Sequence, residues 1–446
     1  MKKLMLTAGC CLALAGGLAA QATADTLKVD LKKALDIALS DNPTIKIADK
    51  EIERVDYSKK AAWYGLLPSL SGTAQYGKYV MPSAMSMMGQ VMDSPTDFTA
   101  SATLSLSLPL IAPALWRSIQ LTTLDMQLAA EKARASKITL HNDVTKAYYN
   151  ILLAKDSYKA LQEGYNIAKE NYELAKLRYE TGMAAEYDYV SAEVQMNNLL
   201  PNLLQVENGV AQAKMYLKVL IGLNVEVALE VEGNLADFEA SVAKANSEHE
   251  ISLQNNSDLT QLDIQHLQLQ KALQIQRTQH LPTLAAFGNF GYNATGNKET
   301  DINFGAIPMH VEASREAFSQ GMIIGLQLSV PIFSGFSNTI KEKQIKIQAK
   351  ELELQREYLK SSLTVQARTA LDNMDKAVRQ MESNKKAVEL AEKGYRISGN
   401  RYNTGMGTML ELNSSALALT QSKLSYHQAI ADYLSAKADY EKIAGN

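Results

Sequence analysis

Six residues beyond the glycine of each of two near-identical sextets, RYETGM at 178–183 and RYNTGM at 401–406, the chain carries an acid, Asp188 in the first case and Glu411 in the second. The two acids lie 223 positions apart, the same spacing as the sextets. A carboxylate in the first turn of a helix faces the positive end of the macrodipole, worth ~0.3–1 kcal/mol at an exposed site. Gly182 and Gly405 suit the turn before it, because glycine accepts the positive φ of a helix C-terminus without a Cβ penalty. The other chemistry-bearing residues are soft or scattered. Met81, Met85, Met87, Met88 and Met92 crowd one stretch. Their thioethers suit Cu(I), but flexible methionines also fill irregular contacts, and with no Cys or His beside them packing is the stronger reading. The six histidines, His141, His249, His266, His280, His310 and His427, make no pair at metal-ligand spacing. There is no phosphate loop and no nucleophile elbow. The pattern points to no metal centre, no cofactor and no enzyme; energy for any work comes from a partner.

The first residues indicate where the chain goes. Lys2 and Lys3 precede an apolar run from Leu4 to Leu18 and the small residues ATA at 22–24. This is the order of a cleaved secretory leader, residues 1–24, with Asp25 the first mature residue. The run is broken by Gly16 and Gly17, too short a stretch to cross ~30 Å of hydrocarbon comfortably. Cys10 and Cys11 are the only cysteines and both fall inside the leader, so the mature chain has neither disulfide nor thiolate metal site. Loss of Lys2 and Lys3 takes the formal net charge from -3 to -5. No basic patch suggests nucleic acid. No later segment holds the ~18 consecutive apolar residues of a membrane helix.

What positions the acids is a unit written twice. LPSL at 67–70 returns as LPTL at 281–284, LSLPL at 106–110 as LSVPI at 328–332, and the sextet closes each copy. The first repeat, 25–223, reads as a helix, a β-hairpin about 69–110, a long helix about 113–179 and a helix about 184–221. The second, 253–446, reads as a helix, a β-hairpin about 283–332, a long helix about 338–402 and a helix about 408–443. A polar stretch, 224–252, is expected to connect them with little regular structure.

The hairpin strands alternate. In FTASATLSLSL at 98–108, Phe98, Ala100, Ala102, Leu104, Leu106 and Leu108 alternate with Thr99, Ser101, Thr103, Ser105 and Ser107. Segments from Leu70, Leu284 and Met322 repeat the pattern. A tilted strand crosses a bilayer in ~9–11 residues. An amphipathic strand on a soluble core is the bland alternative, but four copies in an exported chain favour the membrane. Hydrocarbon tolerates no open sheet edge, and membrane barrels need at least ~8 strands. Four strands are too few, so the barrel is shared between chains, most simply by three copies giving twelve strands, with the apolar face to lipid and the Thr/Ser face to water.

The long helices lack proline. A helix from Pro113 to Tyr179 has 67 residues and reaches ~100 Å at ~1.5 Å per residue. In the last helix, Leu410, Leu417, Leu424, Ala431 and Ala438 recur every seven residues, as do Leu412, Leu419, Tyr426, Tyr433 and Tyr440. These seams lie ~200° apart. A helix with two opposed seams grips a neighbour on each side, as in the wall of a hollow cylinder. Pro201 is expected to kink the helix of the first repeat.

The leader, the doubled unit, LPSL entering a strand, LPLIAP and VPIFSGF closing the hairpins, and the paired sextets together resemble the TolC-like outer-membrane efflux protein family, over nearly the whole mature chain. The resemblance implies a fold that is mixed α and β, mainly α: a trimeric channel-tunnel with a shared 12-stranded outer-membrane β-barrel, four strands per chain, and a 12-helix periplasmic α-barrel. It implies a Gram-negative outer membrane location. It also implies an exit duct for drugs or other small molecules, joined by a periplasmic adaptor to an inner-membrane pump of resistance-nodulation-division or ABC type. A type I protein secretion duct is the sibling expectation, and a trimeric barrel-anchored coiled-coil adhesin the competing class. By the same resemblance, Thr181, Gly182, Met183, Thr404, Gly405 and Met406 form the adaptor-docking tip, and Asp188, Glu411 and Tyr402 the periplasmic gate. The family's gate arginine, two residues past the turn glycine, is here Gly407, and its second acid is Ser414, so the lock differs.

Overall fold

The computed structural model describes residues 27–81, 84–87, 90–93, 96–243, 251–297, 299–304, 307–311 and 317–445. The leader, 1–24, lies outside the described residues, as does Met88. In chain order the elements are β1 (Leu27–Val29), α1 (Leu31–Asp41), α2 (Pro43–Tyr64), β2 (Ser69–Lys78), the hairpin β3 (Ala84–Met87) and β4 (Gln90–Asp93), β5 (Thr96–Ile111), α3 (Pro113–Glu180), α4 (Glu186–Leu220), β6 (Leu229–Val231), α5 (Glu239–Ala243), α6 (Ser257–Thr278), β7 (Thr283–Asn297), the hairpin β8 (Thr300–Phe304) and β9 (Ile307–Val311), β10 (Ala317–Ser329), α7 (Ser337–Asn403) and α8 (Met409–Ala444). The fold is mainly helical. Two compact units form: the described residues of one lie within 27–42, 143–243 and 374–435, and those of the other within 43–142, 251–373 and 436–445.

The second unit holds an antiparallel sheet in the order β10-β7-β5-β2. Its register aligns the alternation of all four strands. Gly72, Leu104, Phe290 and Met322 lie abreast, as do Leu70, Leu106, Gly288 and Ile324. On the other face, Ser71, Ser105 and Asn289 align, and Thr73 and Thr103 align with Gly291 and Gly321. Exposure is inverted relative to a protein folded around an oily core. Leu70, Leu104, Leu106, Met322, Ile324 and Leu326 are exposed, whereas Ser101, Thr103 and Ser105 are half-buried. β2 and β10 are edge strands, with no hydrogen-bonded strand on one side among the described residues. None of the described helices is long and apolar enough to cross a membrane.

The long helices follow from their composition. α3 runs 68 residues and α7 67 without an internal proline. α4 is continuous through Pro201, so the proline, which costs one backbone hydrogen bond, does not end the helix. Of the two seams in α8, Leu412, Leu419 and Tyr433 are buried within the chain, while the other is exposed at Leu410 and Leu417 and buried at Ala431 and Ala438. Their counterparts 223 positions earlier, Tyr187 and Val194, are exposed as well.

Gly164 of α3 marks a tight crossing in the first unit: a Cβ there would lie 2.5 Å from Oγ1 of Thr420 in α8. Thr420 is buried, and its hydroxyl already donates to the Ala416 carbonyl at 3.1 Å. Gly164→Val is expected to destabilise this unit by about 1–3 kcal/mol through overpacking. A thermal unfolding midpoint unchanged from wild type refutes the close crossing.

The stretch between the repeats is more ordered than composition suggests. β6 pairs in parallel with β1, Leu27 opposite Leu229 and Val29 opposite Val231, and a 3₁₀ turn, Leu235–Phe238, is closed by an Asn234/Asp237 capping box. Val29, Val231 and Leu235 are fully buried. α3 binds the segment from one face. Tyr148 donates to the Glu232 carbonyl at 2.6 Å, Lys155 to the Val231 carbonyl at 2.6 Å and Lys159 to Oδ1 of Asn234 at 2.8 Å, while Asp156 accepts from the Leu235 amide at 2.9 Å. These anchors are polar side chains far away in sequence, which periodicity within 224–252 does not register. Glu239 completes the strap, accepting from Lys385 at 2.6 Å and from Tyr426 at 2.7 Å.

Those two donors, Lys385 first and Tyr426 next, hold the Glu239 carboxyl below the usual carboxylate range. A depressed carboxylate stabilises the fold above its unfolded pKa, and the contribution is lost as pH falls through the folded value. Acidification below the ordinary glutamate range, ~4.3, is therefore expected to lower the unfolding midpoint. Glu239→Gln should flatten that part of the profile; an unaltered acid dependence in the variant contradicts the assignment.

The end of each repeat is clasped to the start of the helix that leads into its hairpin, α2 or α6. In the first unit, Nδ2 of Asn42 donates to the Leu220 carbonyl at 2.6 Å, and Gly222 follows with φ 74. In the second, Nδ2 of Asn256 donates to the Ile443 carbonyl at 2.9 Å, and Gly445 follows with φ 85. Asn256 also caps α6, its Oδ1 accepting from the Leu259 amide at 3.1 Å.

Candidate functional site

The turns joining α3 to α4 and α7 to α8 are built alike. Each ends in a pair of closing bonds that satisfy the last helical carbonyls. Gly182 N donates to Tyr179 O at 2.9 Å and Met183 N to Arg178 O at 2.7 Å; Gly405 N donates to Tyr402 O at 3.1 Å and Met406 N to Arg401 O at 2.8 Å. The glycines have φ 74 and 75. Thr181 Oγ1 donates back to Leu177 O at 2.9 Å, and Thr404 Oγ1 to Asn400 O at 3.0 Å. Thr-Gly-Met is thus a local stop signal in which each residue has a task. In such turns the residue after the glycine often covers an apolar side chain on the last turn. Here arginine stands at that place, and Met183 and Met406 remain 75% and 73% exposed.

Tyr402 is the centre of the site. It is only 4% exposed and packs with Ala175, Ala192, Met409 and Leu412, which join the ends of α3 and α7 to the starts of α4 and α8. Arg178 stacks over its ring at 4.5 Å. The Tyr402 hydroxyl has no hydrogen-bond partner among the described residues. Burial pushes its phenol above the ordinary tyrosine range; the Arg178 cation pulls it down and the Asp188 charge pushes it up.

The two arginines of the sextets, equivalent in sequence, act differently. Arg178 reaches across to the other turn and donates to the Tyr402 carbonyl at 2.7 Å and the Asn403 carbonyl at 3.0 Å. Arg401 stays on its own turn, donating to the Met406 carbonyl at 3.1 Å and facing Glu411 at 3.6 Å. Glu411 also makes a reciprocal cap with Thr408: its amide donates to Thr408 Oγ1 at 3.2 Å, and its carboxylate accepts from the Thr408 amide at 3.4 Å. Asp188 has neither support. Ala185 stands at its helix N-cap without a side-chain bond, and no cation lies within ion-pair distance of Asp188 among the described residues. The structure thus brings Asp188 into the field of Tyr402, and Glu411 to Arg401 and Thr408. Gly407 sits where a Cβ would lie 3.0 Å from the Tyr402 amide nitrogen and from Arg401 Cβ, so a larger residue there requires the turn to give by a few tenths of an ångström.

Sequence reasoning missed Arg178 and Arg401, although each opens its sextet. The available signal was a basic residue in the last turn of each long helix, where it complements the negative end of the macrodipole. Among the described residues no group of three His, Cys, Asp or Glu is placed to hold a metal ion. Met85, Met87 and Met92 belong to β3 and β4; the arrangement of their side chains lies outside the described residues.

The profile of the family described as "Outer membrane efflux protein" matches residues 34–223 and 250–446, one stretch for each repeat. The chain belongs to the outer membrane efflux protein family. The Escherichia coli outer membrane protein TolC is 22% identical over 321 residues, a match spanning 72% of this chain and 64% of TolC. Two solved structures share the fold. The Campylobacter jejuni CmeC outer membrane channel superposes with TM-score 0.72 at 16% identity, covering 93% of this chain and 85% of that one. The Vibrio cholerae outer membrane protein VceC gives 0.70 at 15%, covering 93% and 96%. This efflux protein is accordingly an outer-membrane protein of a Gram-negative cell that extends into the periplasm, in a family of channels.

Proposed function

We propose that this efflux protein is the passive exit duct of a tripartite efflux system for drugs or other small molecules. It works as a homotrimer, in which three four-stranded sheets close a twelve-stranded barrel in outer-membrane lipid and the helices form a twelve-helix periplasmic barrel. The observation that carries the reading is the sheet: an exposed apolar face, a hydroxylated face behind it, and two free edges, β2 and β10. In hydrocarbon each unpaired backbone group costs several kcal/mol, so such a sheet is stable there only when other copies close its edges. The exposed pairs Tyr187/Val194 and Leu410/Leu417 support the same conclusion, since each offers a seven-residue seam to a neighbouring helix.

The paired turns are the periplasmic tip. Met183 and Met406, with Thr181, Gly182, Thr404 and Gly405, present the surface that a periplasmic adaptor grips, and through it an inner-membrane pump supplies the energy. Asp188, Glu411 and Tyr402 form the gate. Threefold repetition sets six carboxylates around one mouth, and acidic rings favour cations. Because Glu411 is partnered by Arg401 and Asp188 is not, Asp188 dominates that field.

The test is conductance of the purified protein in planar bilayers. We expect a cation-preferring pore whose preference falls several-fold in Asp188→Asn and less in Glu411→Gln. Complete absence of a pore at all voltages refutes the duct and favours an adhesin. For docking, Thr404→Cys should cross-link to a candidate periplasmic adaptor, and persistent failure removes that surface from the proposal.

A further inference from the structure

From Thr99 to Ser107 and along the strands paired with it, the hydroxylated face of the sheet bears no charged side chain, and at one level it changes character. The row of Ser69, Ser107 and Gly325 carries Phe287, and the adjacent row carries Ile323. Phe287 lies over its cross-strand neighbour: a Cβ built on Gly325 would be 3.0 Å from two atoms of the ring. A ring that covers a strand glycine is pinned in place rather than free to swing. Ile323 is 58% exposed. Further along the same face the corresponding positions on β7 and β10 are Gly291 and Gly321. The bulkiest residue of the face thus stands near the start of β7, and space opens beyond it. An apolar pair turned toward water forfeits ~25 cal/mol for each Å² of apolar surface left uncovered, and nothing in the strand alternation calls for it.

We infer that Phe287 and Ile323 form an apolar contact station inside the duct, taking the aromatic or aliphatic part of a small-molecule cargo as it enters the barrel. The inference rests on the barrel reading above, in which threefold closure sets three such pairs at one level. With no charge in the row of Phe287 or of Ile323, nothing at this level selects cargo by sign. What distinguishes one solute from another at this level is how much apolar surface it can lay on the ring and the isoleucine. Binding of this kind is weak and repeated, which lets a solute pause and leave rather than lodge, as conduction requires.

The experiment compares wild type, Phe287→Ser, Phe287→Leu and Ile323→Ser in planar bilayers. Tetraphenylphosphonium is added on the side of the outer loops, with tetramethylammonium as a cation of equal charge and little apolar surface. Tetraphenylphosphonium should block wild-type current and tetramethylammonium should not. Phe287→Ser and Ile323→Ser should each weaken the block, by about tenfold for loss of the ring, with Phe287→Leu between. Ile323 covers no glycine, so Ile323→Ser keeps the test alive if Phe287→Ser does not fold. Equal block in wild type and both serine variants, or no block of a conducting wild type, overturns the station and leaves the duct intact. A wild type without any pore overturns the duct itself.

Discussion

Replacing Arg178 by methionine is expected to cost the tip about 2–3 kcal/mol, the loss of two charge-assisted hydrogen bonds and a cation–π contact of ~0.5–1 kcal/mol. The guanidinium donates to the carbonyls of Tyr402 and Asn403 while lying over the Tyr402 ring. Those carbonyls belong to the last turn of α7, past the reach of the regular helical ladder; Tyr402 O otherwise accepts only from the Gly405 amide of the turn, at 3.1 Å. Lysine is a poor replacement, because one ammonium cannot place a rigid planar fork on two carbonyls and stack at once. The internal control is Arg401→Met. Arg401 bonds one carbonyl on its own turn and faces an exposed glutamate at 3.6 Å, and exposed ion pairs contribute ~0–1 kcal/mol. Amide hydrogen exchange read over residues 400–412 decides between them: Arg178→Met should speed exchange there by at least tenfold more than Arg401→Met. Equal exchange in the two variants contradicts the cross-turn role.

Gly222→Ala is the second large effect, and it separates two costs that usually arrive together. Gly182 and Gly222 have the same φ, 74. At Gly182 an added Cβ meets nothing within 4 Å, whereas at Gly222 it would lie 2.8 Å from the Asp41 carbonyl oxygen. Gly182→Ala should therefore cost only the left-handed backbone penalty, ~1–2 kcal/mol. Gly222→Ala should add the displacement of the α1 terminus and with it the Asn42–Leu220 hydrogen bond, for a total of about 3–5 kcal/mol. Gly445→Ala in the other repeat should resemble Gly222→Ala, since its Cβ would collide with the Asn255 carbonyl. Thermal unfolding in one detergent, followed by far-ultraviolet circular dichroism, ranks the three. If Gly182→Ala lowers the midpoint as much as Gly222→Ala does, the close approach at Asp41 has no energetic weight.

Much of this architecture is legible in the chain because local chemistry and tertiary demand coincide. The alternation from Phe98 to Leu108 becomes one row of every pair in the sheet, since a period of two has only one physical expression. Thr-Gly-Met is read equally easily, because a glycine at positive φ is a local requirement. The strap at 229–243 is not legible: its order comes from Tyr148, Lys155, Asp156 and Lys159, more than 70 residues away. Nor does the sequence distinguish Arg178 from Arg401, which open sextets differing only at Glu180 and Asn403. Their different partners arise only once the two turns lie side by side, and the same holds for the isolation of Asp188 against the capped and paired Glu411.

The reach of Arg178 also constrains how the gene can change. LPSL and LPTL are 214 residues apart, LSLPL and LSVPI 222, and the sextets 223. Nearly all the length difference between the halves therefore falls within the hairpins, most of it in the strands, where β7 has 15 residues against 10 in β2, while α3 and α7 differ by a single residue. Inserting one residue into α3 alone would turn everything beyond it by ~100° and advance it by ~1.5 Å, swinging the guanidinium out of line with the α7 carbonyls. The rods behave as a matched pair of rulers, and the extra length is taken up in the hairpins between them.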